Sequence, residues 1–76
     1  MTRDRKIIDQ AIRRELNLPT NHQLTSEDRQ RVRVLYLGYN QITDVSPLAE
    51  LTHLKWLDLD DNPVTNRDAL EIVRML

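Results

Sequence analysis

A chain of 76 residues with no cysteine and a formal net charge of −1 has neither a disulfide framework nor a thiolate metal site, and exerts no bulk attraction on nucleic acid or membrane. Its 39% hydrophobic and 30% charged residues suit one small soluble domain, but a chain this short buries only about 60% of the surface its unfolded form exposes, so every apolar face needs a cover. No apolar run reaches the roughly 18 residues of a membrane span, and the charged start from Met1 to Lys6 is not followed by a long apolar signal region, so a cytoplasmic location is expected.

The first predicted element is an amphipathic helix from about Asp4 to Asn17. Ile8, Ala11, Ile12 and Leu16 recur at helical intervals, joined by Ile7, while Arg5, Asp9, Arg13 and Arg14 take the wet side. Pro19 is expected to end it. Its basic face is open to an acidic partner, but a cap whose apolar stripe covers the next element is the preferred reading. Thr25 starts a second, shorter helix, with Asp28 three residues on as a weaker stand-in for a capping-box Glu. Leu24 and Val32 anchor its ends.

Strands follow. Leu35 and Leu37 are two apart, so on a strand both point inward and Tyr36 points outward. Asn40 comes where the chain bends, and its amide can satisfy backbone groups that lose their ladder partners there. Ile42, Val45, Leu48 and Leu51 then fill the back of the coil, which is expected to be extended or turn-like because Pro47 stops a strand from continuing. A second copy of the pattern begins at Leu54. Near its end, Thr65 and Asp68 repeat the capping pattern before a run with Leu70, Val73 and Leu76 on one face, widened by Ala69 and Ile72. That run is expected to be a closing helix; a truncated third repeat is the alternative.

The doubling is exact in spacing. Val32, Leu35, Leu37, Asn40 and Ile42 recur 22 positions later as Leu54, Leu57, Leu59, Asn62 and Val64. Both copies fit L-x-x-L-x-L-x-x-N-x-L, which resembles a leucine-rich repeat. The segment from Leu35 to Leu51, with Asp44, Val45, Pro47 and Leu48, is similar to the 22-residue repeats of bacterial internalin-like proteins. The N-terminal I-I-D-Q-A-I-R-R-E-L-N and L-T-S-E-D segments resemble the helical cap that precedes such repeats. Arg67 in place of Val45 and Ala69 in place of Pro47 depart from the pattern, as if the array stops. The fold class so implied is α/β, a leucine-rich-repeat solenoid fragment with short parallel strands, an N-terminal helical cap and a C-terminal helix. As a single domain it divides into a cap at 1–31, repeat 1 at 32–53 and repeat 2 at 54–76.

The aromatic residues carry the functional clue. Tyr36, Tyr39 and Trp56 are the only ones, and none falls on a leucine slot. In register, Val34 lies beside Trp56, Tyr36 beside Asp58, Gly38 beside Asp60 and Tyr39 beside Asp61. Such a face, aromatic with a carboxylate border, suits partner binding, since buried Trp and Tyr are enriched among interface hot spots. The expected partner-binding residues are therefore Val34, Tyr36, Tyr39, Trp56, Asp58 and Asp60. A competing reading packs the rings on each other or under the cap helix, and makes the carboxylates solvated guards of a strand edge.

Other chemistries fit poorly. Asp58, Asp60 and Asn62 mimic the start of a calcium loop, but the positions that need Gly and Glu are Pro63 and Ala69. His22 and His53 lack neighbouring ligands and are expected to be solvated surface side chains. Ser26 and Ser46 have no identifiable base, and Gly38 belongs to no phosphate-cradling loop. Arg29, Arg31 and Arg33 form a basic cluster, yet Glu27 and Asp28 precede it and no recognition motif accompanies it, so a solvated face is expected. The sequence thus points to a non-catalytic protein- or peptide-binding module without metal, cofactor, nucleic acid or membrane. Alternatives are a self-associating homo-oligomer and an engineered minimal scaffold without a ligand.

Overall fold

The computed structural model describes residues 3–65. Two helices precede two short parallel strands: α1 (Arg3–Glu15), α2 (Ser26–Gln30), β1 (Val34–Tyr36), a 3-10 helix (Ser46–Glu50) and β2 (Trp56–Asp58). The expected closing helix, with Asp68, Ala69, Leu70, Ile72, Val73 and Leu76, lies outside the described residues, as does Arg67.

Helix α1 is built from an apolar stripe and ends by backbone geometry. Ile8, Ala11 and Ile12 are buried, with Ile7 and Leu16 packed partly against the same core. The helix stops at Glu15, short of Pro19, because Asn17 turns into the left-handed region (φ 60°). Leu18 N–H then reaches back to Arg13 O at 2.8 Å and Asn17 N–H to Arg14 O at 3.3 Å, a Schellman-type closure of the last carbonyls. Asparagine tolerates that conformation better than most residues, which is why it, and not the proline, sets the end.

The short helix α2 starts as expected. Thr25 Oγ1 accepts from Asp28 N–H at 3.1 Å, and the Asp28 carboxylate accepts from Thr25 N–H at 3.0 Å. The same carboxylate meets His22 Nε2 at 2.9 Å and an Arg31 guanidinium nitrogen at 3.3 Å. His22 is therefore half-buried and partnered instead of merely solvated, whereas His53 is exposed as expected, with Nδ1 2.9 Å from Gln30 Oε1. Most of the supposed wet face of α1 is engaged too: Arg5 pairs with Glu50 at 3.4 Å, Asp9 with Arg29 at 3.1 Å, and Arg13 donates to His22 O at 2.6 Å. Arg29, with a second contact to Glu50 at 3.2 Å, ties α1, α2 and the 3-10 helix together and is no solvated basic surface. Periodicity finds the apolar stripe of a helix; it does not reveal which charges a neighbouring helix will meet.

The back of the first coil is a 3-10 helix where an extended or turn-like path was expected. Pro47 sits in its first turn, where the missing N–H costs nothing. Leu48, Leu51 and Leu54 each donate N–H to the carbonyl three residues before, at 2.9, 3.0 and 3.1 Å. Three residues per turn stack Val45, Leu48, Leu51 and Leu54 on one side, and all four are buried. With Val32, Leu35, Leu37 and Ile42 they complete a core of aliphatic side chains that α1 closes by packing on β1 and the 3-10 helix.

Strands β1 and β2 pair in parallel, with Val34 opposite Trp56, Leu35 opposite Leu57 and Tyr36 opposite Asp58. The alignment continues past the strands: Tyr39 N–H donates to Asp60 O at 2.8 Å and Thr65 N–H to Thr43 O at 2.9 Å. Leu35 and Leu37 are fully buried, whereas Leu57 and Leu59, in the same slots of the second copy, are half-buried.

Two carboxylates make the fold sensitive to acid. Burial alone pushes the Asp4 carboxyl up, but hydrogen bonds from Asp44 N–H (2.9 Å), the Thr43 hydroxyl (3.0 Å) and Thr43 N–H (3.2 Å), with the Arg3 charge, outweigh it and hold its pKa below 3.8. Asp28, bonded by the Thr25 backbone and the His22 ring, is lowered to about 2. Because both folded values lie below the ordinary one, the stabilisation is present above pH 3.8 and drains away as the pH falls toward about 2. Circular dichroism followed against pH is expected to show the helical signal lost across that interval. The double variant Asp4→Asn, Asp28→Asn should flatten the loss; an unchanged acid transition would assign it elsewhere.

Candidate functional site

Parallel pairing and side-chain alternation build one outward face. With Leu35 and Leu57 turned inward, their strand neighbours project from the other side of the sheet. Trp56 is 59% exposed, Tyr36 61% and Tyr39 77%, the three large apolar side chains on the surface of the described residues. Val34 and Asp58 are half-buried and Asp60 is exposed. All six residues expected from the sequence thus border the same strand pair and its first turn. Tyr36 also lines a small cleft with Ala11, Arg14 and Glu15 of α1, a neighbour that no local pattern announces.

Beyond the strands the chain turns through left-handed residues, Tyr39 (φ 61°), Gln41 (φ 58°) and, in the second copy at the slot of Tyr39, Asp61 (φ 61°). Tyrosine is a poor occupant of that region, at a cost of about 1 kcal/mol, and its ring is too exposed to recover it by burial. Tyr39→Asn should therefore raise the stability by about 0.5 to 1 kcal/mol, because asparagine accepts the conformation, while removing a ring from the face. Urea denaturation checks the first effect; a loss of stability would mean that the ring contributes to the fold.

The turn itself is held from the second copy. Asn62 Oδ1 accepts from Asn40 N–H at 3.0 Å and Ile42 N–H at 2.8 Å, and its Nδ2 donates to Leu37 O at 2.7 Å, Leu59 O at 3.0 Å and Asp60 O at 3.2 Å. Asn40, with no coil before it to hold, makes one such contact, from Nδ2 to Gly38 O at 3.1 Å. The two asparagines occupy one slot and do unequal work. The Asn62 amide is thus engaged by backbone and turned away from the Asp58 and Asp60 carboxylates, and among the described residues there is no group of three or more His, Asp or Glu side chains placed to hold a metal ion.

This geometry, two parallel strands in register at a 22-residue spacing with an asparagine bridging the turns, agrees with a match between residues 30–71 and the family described as Leucine Rich repeats (2 copies), which spans more than half of the chain. The chain belongs to the leucine-rich-repeat family. Neither a curated protein nor a solved structure matches it. Leucine-rich-repeat domains generally mediate protein–protein interaction; here the first repeat keeps its aliphatic slots buried, the second holds Leu57 and Leu59 half-buried, and the aromatic residues stay out.

Gly38 is the feature of this leucine-rich-repeat face that sequence reasoning passed over. A Cβ there would lie 3.4 Å from Asp58 Oδ2 and 3.6 Å from Asp60 O, so the absent side chain leaves an opening beside the Asp58 carboxylate. Being the sole glycine of the chain, in the turn two residues beyond Tyr36, was the available signal.

Proposed function

We propose that the face formed by Val34, Tyr36, Tyr39, Trp56, Asp58 and Asp60 is a non-catalytic docking surface for a protein or peptide. One observation carries the reading: in a small fold whose core is wholly aliphatic, all three aromatic rings remain more than half exposed around one strand pair. Rings left in water at this density are what an interface uses as anchors. In this reading α1 and α2 serve as a helical cap over the first coil of a solenoid related to the bacterial internalin-like repeats, and the chain works without cofactor, nucleic acid or membrane. Among the described residues no helix is long and apolar enough to cross a membrane.

Trp56→Ala tests it. At 59% exposure the ring contributes little to packing, so the variant is expected to lose about 1 kcal/mol of stability or less and at least tenfold in affinity for whatever partner the wild type captures. A variant that unfolds would make Trp56 a core residue, and one that binds as before would clear the face of a role. A second reading has its own support: half-buried Leu57 on β2 and Leu59 just beyond it leave apolar surface for another copy of the chain. Sedimentation across a concentration range separates the two, since only self-association grows with protein concentration in the absence of a partner.

A further inference from the structure

Charge among the described residues is distributed unevenly. On the helical side four carboxylates meet a basic side chain of the same chain, Asp4 with Arg3, Asp9 with Arg29, Asp28 with Arg31 and the His22 ring, and Glu50 with Arg5 and Arg29, while Glu15 and Glu27 are exposed without one. On the strand face, among the described residues, no Lys, Arg or His pairs with Asp58, Asp60 or Asp61, and Asp58 uses Oδ1 to accept Asp60 N–H at 3.0 Å. Within the described residues this places unpaired carboxylates beside exposed rings. The opening at Gly38 adds shape. It lies against Asp58 Oδ2, with Tyr36 one step earlier on the same side of β1 and directly across from Asp58, and with Trp56 one step before Asp58 on β2.

We propose that this notch receives an arginine side chain from a basic, extended partner segment, its guanidinium flanked by the Tyr36 and Trp56 rings and donating to the Asp58 and Asp60 carboxylates. The inference rests on the strand face being the docking surface. Arginine fits better than lysine, because a planar guanidinium stacks on an aromatic face and offers parallel donors to a carboxylate, whereas an ammonium is a compact, strongly hydrated point charge. Asp58 is already oriented by its bond from Asp60 N–H, so little ordering remains when the cation arrives.

The test titrates the isotope-labelled full chain with the peptide acetyl-Ser-Arg-Gly-Arg-Ser-amide, followed by nuclear magnetic resonance. Shifts are expected to concentrate at the Gly38, Asp58 and Asp60 amides and the Trp56 indole. Binding should fall roughly tenfold when citrulline, which keeps the shape without the charge, replaces arginine. It should fall similarly in Gly38→Ala, where the added methyl meets Asp58 Oδ2 at 3.4 Å, an ordinary contact that leaves the fold unstrained. Equal binding of the citrulline peptide, indifference to Gly38→Ala, or no shifts at all overturns the arginine notch. So does a pattern at these residues that appears on raising the protein concentration without peptide, which would make a second copy the occupant. Selection from a random peptide library on wild type and Trp56→Ala distinguishes the two levels of the proposal. Binders that need Trp56 but lack arginine remove the notch and leave the docking face, whereas binders indifferent to Trp56→Ala remove both.

Discussion

Replacing Asn62 with alanine is expected to cost about 3 kcal/mol or more, the largest effect of any single polar substitution in the described residues. Its amide serves two donors, Asn40 N–H and Ile42 N–H, and three acceptors, Leu37 O, Leu59 O and Asp60 O, all within 3.2 Å. Alanine removes this partner from Asn40 N–H, Ile42 N–H, Leu37 O and Leu59 O in a place where the side chain itself is buried and water has little access, while Asp60 O keeps its bond from Tyr39 N–H. A domain of this size has a total stability of roughly 4 to 11 kcal/mol, so the variant should lose between about a quarter and three quarters of it and unfold at a much lower urea concentration. Asn62→Asp should not rescue it: the carboxylate can still accept from Asn40 and Ile42 but has nothing to donate to the three carbonyls. Urea denaturation followed by circular dichroism measures both. Asn40→Ala is the internal comparison, with a far smaller loss expected because the Asn40 side chain supports one carbonyl; equal losses would disprove the asymmetry between the two slots.

Ile12→Ala is the second large effect. Ile12 is fully buried where α1 lies against β1 and the 3-10 helix, and truncating a buried isoleucine costs about 2 to 5 kcal/mol through lost transfer energy and the cavity left behind. The consequence should reach beyond the helix. The N-terminal turn of α1 carries Asp4, which holds Thr43 and Asp44, and Arg3, which donates to Gln41 O at 2.6 Å; loosening α1 therefore loosens the chain directly after the first strand. Hydrogen exchange is expected to speed up at Thr43 and Asp44 as well as within α1. A domain in which only α1 exchanges faster, with global stability intact, would make the helix an appendage instead of part of the core.

How much of this was readable beforehand differs from residue to residue for physical reasons. The inward slots Leu35, Leu37, Ile42, Val45, Leu48 and Leu51 were legible because strand alternation and the repeat spacing fix which way a side chain points, and the Thr25–Asp28 capping box because its partners are three residues apart. The 3-10 path is written in the apolar residues at 45, 48, 51 and 54, one every third position, a period shared by no strand, and a proline is compatible with a helical first turn as well as with an extended path. What stayed hidden depends on distant neighbours. Arg29 between Asp9 and Glu50, His22 on Asp28, and Asp4 beneath Thr43 join residues from different elements, and a local pattern carries no information about which surface will meet which. For the strand face, alternation gave the positions of Tyr36 and Trp56, but the opening at Gly38 emerged only once Asp58 was seen leaning over it.

The staggered amide of Asn62 also sets an order of events. The bend after the first strand is completed by an atom group 22 positions downstream of Asn40, so a growing polypeptide that has emerged only through Leu51 possesses every aliphatic side chain of that coil yet no means to satisfy its corner. Vectorial synthesis therefore keeps the first loop unfinished until the following one arrives, and the first winding is locked by the second.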